Sequence, residues 1–228
     1  MKVSDHPERG LALKQILVVD DHPLTRHGLC HLLNGENDLN VCGEAASTSQ
    51  AFTLIAQLHP DLVLSDISLP SRNGIEFIKD MKALHPNVPV LVLSMHDENI
   101  FARHALRAGA RGYVMKSESA QNLLIAIRQV LQGRIYVSKE LSLNLIGRLL
   151  GNDITRDDSN LSKLTNREFE VFQLIGQGLS TNEIGHHLCI SPKTVETHRT
   201  HLKEKLQIKS AMSLISQAVH WEILNQLP

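Results

Sequence analysis

Four short apolar runs in the first half of the chain each stop at a charged or hydroxylated residue. Ile16-Leu17-Val18-Val19 stops at Asp20-Asp21, Leu62-Val63-Leu64-Ser65 at Asp66, Val90-Leu91-Val92-Leu93 at Ser94, and Gly112-Tyr113-Val114-Met115 at Lys116. Continuous apolar runs of this length between helical patterns read as strands of a parallel sheet buried on both faces. In an open parallel sheet, ligands sit in the crevice beyond the carboxyl ends of the strands. Three carboxylates, a hydroxyl and an ammonium therefore converge there, a set suited to a divalent cation and a phosphoryl group.

With these residues, the stretch from about Gln15 to Gln132 resembles the receiver domain of bacterial two-component response regulators, and the spacing from Asp66 to Ser94 to Lys116 suits the NarL/FixJ branch. The resemblance implies a flavodoxin-like α/β doubly wound fold, with five parallel strands in the order 2-1-3-4-5. It makes Asp66 the phospho-acceptor (a 4-aspartylphosphate when modified) and Asp20 and Asp21 the acidic pair for Mg2+. Ser94 becomes the switch hydroxyl, Lys116 the lysine of the site, and Tyr113 the rotating aromatic.

The chemistry agrees. A carboxylate can be a nucleophile toward phosphorus, but crowded carboxylates resist being ionised together. Magnesium resolves the conflict, because it takes one or two protein carboxylates plus phosphate oxygens and keeps several waters. Asp21 and Asp66 suit those positions, with Asp20 ordering a coordinated water and the Ser68 backbone carbonyl a further ligand. Lys116 and the Ser94 hydroxyl are left to neutralise the transferred phosphoryl. A lone Asp after an apolar run is usually a turn residue or a cap, and Tyr113 alone reads as core packing. The right residue type at four strand ends, in order, is what makes a site.

A chain of 228 residues, 42% hydrophobic, suits two domains with real cores. No apolar stretch approaches a membrane span, and Met1 to Lys14 lack the apolar run of a signal peptide, so a cytoplasmic protein is expected. Cys30, Cys42 and Cys189 are odd in number and isolated, which predicts free, mostly buried thiols. Among thirteen histidines, the adjacent His186 and His187 and the pair His198 and His201 invite a metal, but no Cys or acidic partner completes a four-ligand set.

Between the halves, residues 133–159 read as a helix and linker. Leu141, Leu145 and Leu149 place one amphipathic helix over Ser138 to Leu150, and Gly151 to Asn160 reads as a solvated tether, so the domains are expected to move relative to each other.

Beyond it, Thr165-Asn166-Arg167-Glu168 and Ser180-Thr181-Asn182-Glu183 both fit the capping box, and Ser191-Pro192 is an N-cap followed by proline at the first helical position. These starts predict helices over about Asn166–Gln177, Thr181–Leu188 and Pro192–Leu206, with a last one over Ala211–Leu224. The short turn between the second and third makes a helix-turn-helix at about 182–201, in a small all-α, four-helix domain.

Residues 160–225 resemble the LuxR-type DNA-binding domain. The matching text is Leu164 to Glu168, Gly178 to Ile184, and Ser191-Pro192-Lys193-Thr194-Val195-Glu196-Thr197-His198. Val195, Leu202 and Leu206 space the buried face of the recognition helix. The DNA contacts implied are Lys193, Thr194, Glu196, Thr197, His198, Arg199, Thr200 and Lys203, with base readout around Glu196, Thr197 and Thr200. Glu196 departs from relatives that carry lysine there, so their DNA sites do not transfer.

From Leu161 onward there are seven Lys and Arg against six Asp and Glu, which makes one module a weak binder that needs two half-sites. Leu214, Ile215 and Ala218 form one stripe of the last helix, serving the domain core and, by the resemblance, dimer contact. The whole reads as a phosphorylation-regulated transcription factor. Its expected partners are DNA, a cognate histidine kinase, RNA polymerase and a second copy of itself; no membrane is involved. It is not expected to be an enzyme beyond promoting its own phosphorylation and dephosphorylation. Two competing classes are a Mg-dependent aspartyl phosphatase, whose second Asp would fall at Ser68, and an interaction protein that is never phosphorylated.

Overall fold

The structure, a computed structural model, describes residues 13–69, 74–96, 98–143 and 160–226. Five strands, β1 (Lys14–Val19), β2 (Leu39–Ala45), β3 (Leu62–Ser65), β4 (Val90–Ser94) and β5 (Gly112–Met115), alternate with helices α1 (Pro23–Asn34), α2 (Thr48–Leu58), α3 (Gly74–Leu84), α4 (Glu98–Ala108) and α5 (Ala120–Leu131). All four strand pairings are parallel and the order is β2-β1-β3-β4-β5, as the apolar runs and the family resemblance imply.

Strand periodicity divides the core. Ile16 and Val18 join Leu33 of α1 and Ile127 of α5 on one face, whereas Leu17 and Val19 join Ile55 of α2, Phe77 of α3 and Phe101 of α4 on the other. Because both faces are covered, β3 and β4 are buried along their whole length. The edges are managed differently. β2 pairs with β1 through a register shift between Ile16 and Leu17, and Tyr136 makes an isolated parallel bridge to Gly112 that shields part of the β5 edge. Gly74 opens α3 beside Ile67, where an added Cβ would lie 2.3 Å from the Ile67 carbonyl oxygen. Only glycine permits that approach, which ties the start of α3 to the loop after Asp66.

The C-terminal module begins with a 3-10 turn (Asn160–Lys163), followed by α6 (Asn166–Gly176), α7 (Thr181–His187), α8 (Pro192–Lys205) and α9 (Ala211–Gln226). Both capping boxes form: Thr165 and Glu168 exchange side-chain and backbone bonds at the start of α6, and Ser180 and Glu183 do so at α7. Ser191 caps α8. The α7–α8 turn is tight because Cys189 takes a left-handed backbone (φ 53°) and because a Cβ on Gly185 would come within 2.9 Å of the Ile190 carbonyl oxygen.

One expectation needs correction. Cys30 is buried and Cys42 half-buried, but Cys189 is exposed, since a left-handed turn residue faces solvent rather than a core. The two domains touch in this structure. Phe169, Phe172 and Trp221 of the C-terminal module share one apolar cluster with Phe101 and Ala105 of α4. Residues 139–143 are helical. The remainder of the helix expected over Ser138–Leu150, and the tether to Ser159, lie outside the described residues.

Candidate functional site

The carboxyl edge of the sheet brings Asp20, Asp66, Ser94 and Lys116 together. Asp20 and Asp66 are 1% and 5% exposed, and Ser94 is fully buried. Lys116 Nζ donates to Asp20 Oδ2 at 2.8 Å and to Asp66 Oδ2 at 2.7 Å. Burial by itself lowers an ammonium's pKa, but these bonds and the two negative charges outweigh it and hold Lys116 above the ordinary lysine value. The second oxygen of each carboxylate meets backbone: His22 N–H donates to Asp20 Oδ1 at 2.8 Å, and Ser68 N–H donates to Asp66 Oδ1 at 3.1 Å. Each acid is thus fixed in position on both sides.

Asp21 completes the acidic set, with Oδ1 buried and making no well-formed hydrogen bond, although His22 Nδ1 approaches it to 2.9 Å. One ligand atom from each of Asp20, Asp21, His22 and Asp66 lies within 4.8 Å of the others. Three hard carboxylates and an under-satisfied oxygen fit a small divalent cation of the Mg2+ kind. His22, at the N-cap of α1, was not anticipated from sequence, where it reads as the residue before a helix-starting proline.

Tyr113 is fully buried, and its hydroxyl donates to the His96 carbonyl oxygen at 2.8 Å. Ser94 Oγ accepts the His96 N–H at 3.1 Å. The expected switch pair therefore meets on His96, a residue that sequence reasoning passed over because a histidine in a loop carries no periodicity.

In the second region, α8 buries Val195 and Leu202 completely and Leu206 follows at 5% exposure, which is the expected inner face. Lys193, Thr194, Glu196, Thr197 and Thr200 are exposed, while His198, Arg199 and Lys203 are half-buried. Glu196 Oε1 accepts the Thr181 hydroxyl at 2.7 Å, and Arg199 donates to the same hydroxyl at 3.1 Å, so this cluster braces α8 against α7. Arg199 has only 14% of its side chain in solvent, which makes it a brace between α8 and α7. At the base of the module, burial raises the Glu168 carboxyl, but Lys205 Nζ at 2.7 Å and the Thr165 bonds outweigh that and hold it below the usual glutamate range. Among the described residues, no helix is long and apolar enough to cross a membrane.

A 2-1-3-4-5 parallel sheet with an acidic pocket at its carboxyl edge, joined to a helix-turn-helix, defines a signal-receiving domain coupled to a DNA-binding module. Residues 16–128 match the family described as response regulator receiver domain, and residues 162–218 match that described as bacterial regulatory proteins, luxR family. The chain is 34% identical over 215 residues to the oxygen regulatory protein NreC of Staphylococcus aureus (strain MRSA252), an alignment that covers 92% of this chain and 99% of that protein. Among solved structures it resembles RcsB of Salmonella enterica serovar Typhimurium bound to promoter rprA in the presence of the phosphomimetic BeF3-, with a TM-score of 0.73 and 25% identity over 90% of this chain and 97% of that one. A LuxR-family response regulator from Aurantimonas sp. SI85-9A1 is 32% identical, with a TM-score of 0.57 over 61% of this chain and 99% of that one. The chain belongs to the NarL/FixJ family of two-component response regulators. It is accordingly a DNA-binding regulator and not a classical enzyme.

Proposed function

We propose that Asp66 accepts a phosphoryl group from a histidine kinase and that the aspartyl phosphate controls DNA binding by the C-terminal module. The observation that carries this is the bridging of Asp20 and Asp66 by Lys116 at the sheet's carboxyl edge. Asp66 Oδ attacks phosphorus as the P–N bond to the donor histidine breaks, and the imidazole leaves with the bonding electrons and takes up a proton. Lys116 and the Ser94 hydroxyl balance charge on the phosphoryl oxygens. Asp20, Asp21, Asp66 and the Ser68 carbonyl would hold Mg2+, whose charge lets the three carboxylates remain ionised together. The same pocket supports autophosphorylation from small donors and slow autodephosphorylation.

The receiver spans 15–132 and the DNA-binding domain 160–225, with 133–159 as helix and linker. Lys193, Thr194, Glu196, Thr197, His198, Thr200 and Lys203 face DNA, with Arg199 as their brace. RcsB solved on promoter DNA supports this reading of α8. A homodimer on two half-sites, contact with RNA polymerase and a cytoplasmic location complete the assignment. The phosphatase alternative fails on chemistry: its second acid would stand at Ser68, a hydroxyl already 2.7 Å from His96 Nε2.

The test is intact-mass measurement after incubation with acetyl phosphate and Mg2+. Wild type should gain one phosphoryl and Asp66→Asn none; undiminished labelling of Asp66→Asn would overturn the assignment.

A further inference from the structure

The loop between β4 and α4 contains one residue that touches Ser94, Tyr113 and Ser68 together. His96 N–H donates to Ser94 Oγ at 3.1 Å, and its carbonyl accepts the Tyr113 hydroxyl at 2.8 Å. Its Nε2 lies 2.7 Å from Ser68 Oγ, and the Ser68 N–H binds Asp66 Oδ1 at 3.1 Å. One side chain therefore separates His96 from the acceptor carboxylate. On its other side, the His96 ring stacks on Phe101, with centroids 4.3 Å apart and planes 16° apart.

Phe101 does not end the contact. It is 2% exposed and stacks on Trp221 of α9 at 5.6 Å and 23°, while Phe169 of α6 meets it edge-on at 5.2 Å. Three nearly parallel rings, His96, Phe101 and Trp221, thus run from the phosphoryl loop into the DNA-binding module. The stack crosses the domain boundary where α4 meets α6 and α9.

We propose that His96 is a positioning residue whose imidazole transmits the phosphorylation state of Asp66 to the docked DNA-binding module through Phe101 and Trp221. This rests on the reading of Asp66 as phospho-acceptor. A phosphoryl on Asp66 adds negative charge and acceptor oxygens next to the Ser68 N–H and the Ser94 hydroxyl. The Ser94 hydroxyl turns toward it and Ser68 is drawn along by its N–H, so His96 loses its bonds to Ser94 Oγ and Ser68 Oγ together. With Nε2 released from Ser68, the imidazole leaves the face of Phe101. Phe101 then repacks, and Trp221 loosens from α4. The element so biased is the docking itself, which has two discrete arrangements, seated and released.

The imidazole's share is separable from that of the backbone. His96→Ala keeps the N–H to Ser94 and the carbonyl to Tyr113, and deletes only the ring. His96→Phe keeps a ring on Phe101 but cannot bind Ser68. Trp221 is the single tryptophan of the chain, so its emission reports the far end of the stack directly.

The experiment uses the full chain, with beryllofluoride and Mg2+ or acetyl phosphate and Mg2+ as phosphodonor probes. Trp221 emission is recorded beside the intact mass. Wild type should show a red shift on phosphorylation and Asp66→Asn none. His96→Ala should be phosphorylated to the wild-type extent, start red-shifted and respond no further. His96→Phe should start at the wild-type emission and fail to respond. Phosphorylated variants that shift as wild type does would overturn the role of His96. A wild type that gains the phosphoryl without any change in emission would overturn the whole route while leaving Asp66 as acceptor. Absence of labelling in wild type would remove the underlying reading, and the proposal with it.

Discussion

Lys79 of α3 and Glu170 of α6 form an ion pair across the domain boundary, with Nζ 2.5 Å from Oε1 and the Glu170 side chain only 1% exposed. Arg167 holds the other carboxylate oxygen at 2.9 Å from within the module. The receiver thus supplies half of the charge that allows a buried glutamate to exist in the DNA-binding domain. An unpaired buried carboxylate is costly, whereas a half-exposed lysine contributes less than a buried one.

Lys79→Ala should therefore loosen docking without unfolding either domain, at a cost of about 1 kcal/mol, because Arg167 remains on Glu170. Hydrogen exchange in α6 is the measurement. Faster exchange over Asn166–Gly176, with α1 and α5 unchanged, is the expected pattern.

Docking should also weaken in acid. His104 of α4 is fully buried against Phe169, with ring centroids 4.2 Å apart, and Nδ1 lies 3.0 Å from Asn166 Oδ1. Burial pushes its pKa down, as do the charges of Arg107 and Arg103, and hydrogen bonds to Asn166 and the Leu161 backbone only partly oppose them. A histidine with a lowered folded pKa binds fewer protons docked than free. Its contribution is complete above the unfolded value, about 6.5, and declines as pH falls below it toward the folded pKa. Trp221 emission followed from pH 8 to pH 5.5 should shift in wild type. His198 is lowered too, chiefly by burial with Arg167 adding to it, but it lies inside the module. His104→Phe should therefore remove most of the shift, and an unchanged acid response in that variant would count against His104.

Lys116→Ala should slow phosphorylation of Asp66 by about 100-fold, the usual consequence of removing one preorganised charge donor. Rates of labelling by acetyl phosphate check this. A rate within a few-fold of wild type would make Lys116 structural only.

On the recognition helix, Lys193→Ala should weaken binding to all sequences and reduce the salt slope by about one unit. Glu196→Ala should instead relax preference at one position per half-site, losing about 1–3 kcal/mol of discrimination. Selected-site binding separates the two. Because Glu196 also holds Thr181, Thr181→Val is the control: if it reproduces the Glu196→Ala profile, Glu196 acts by bracing α8 and not by reading bases.

The parts of this molecule that sequence reveals are those set by local rules. Asp20, Asp66, Ser94 and Lys116 were legible because a buried strand must be apolar and the first polar residue after it stands at the sheet edge. Thr165, Ser180 and Ser191 were legible because a cap has one geometry and few residue types. β2 was not: as an edge strand it carries Asn40, Gly43 and Glu44, which break the apolar run. The docking surface was not legible either. Phe101 and His104 show the periodicity of any buried helix face, and nothing local says that Phe169 and Trp221, far along the chain, complete it. Lys79 and Glu170 are 91 residues apart, and no spacing rule pairs them.

The receiver seats against α6 and α9 and leaves Lys193, Thr197 and Thr200 of α8 in solvent. In this arrangement those side chains stay open, so control need not come from hiding them. Control then becomes a matter of alignment: a head clamped to its own receiver can reach one half-site, but its freedom to swing into register with a second head is what the clamp governs.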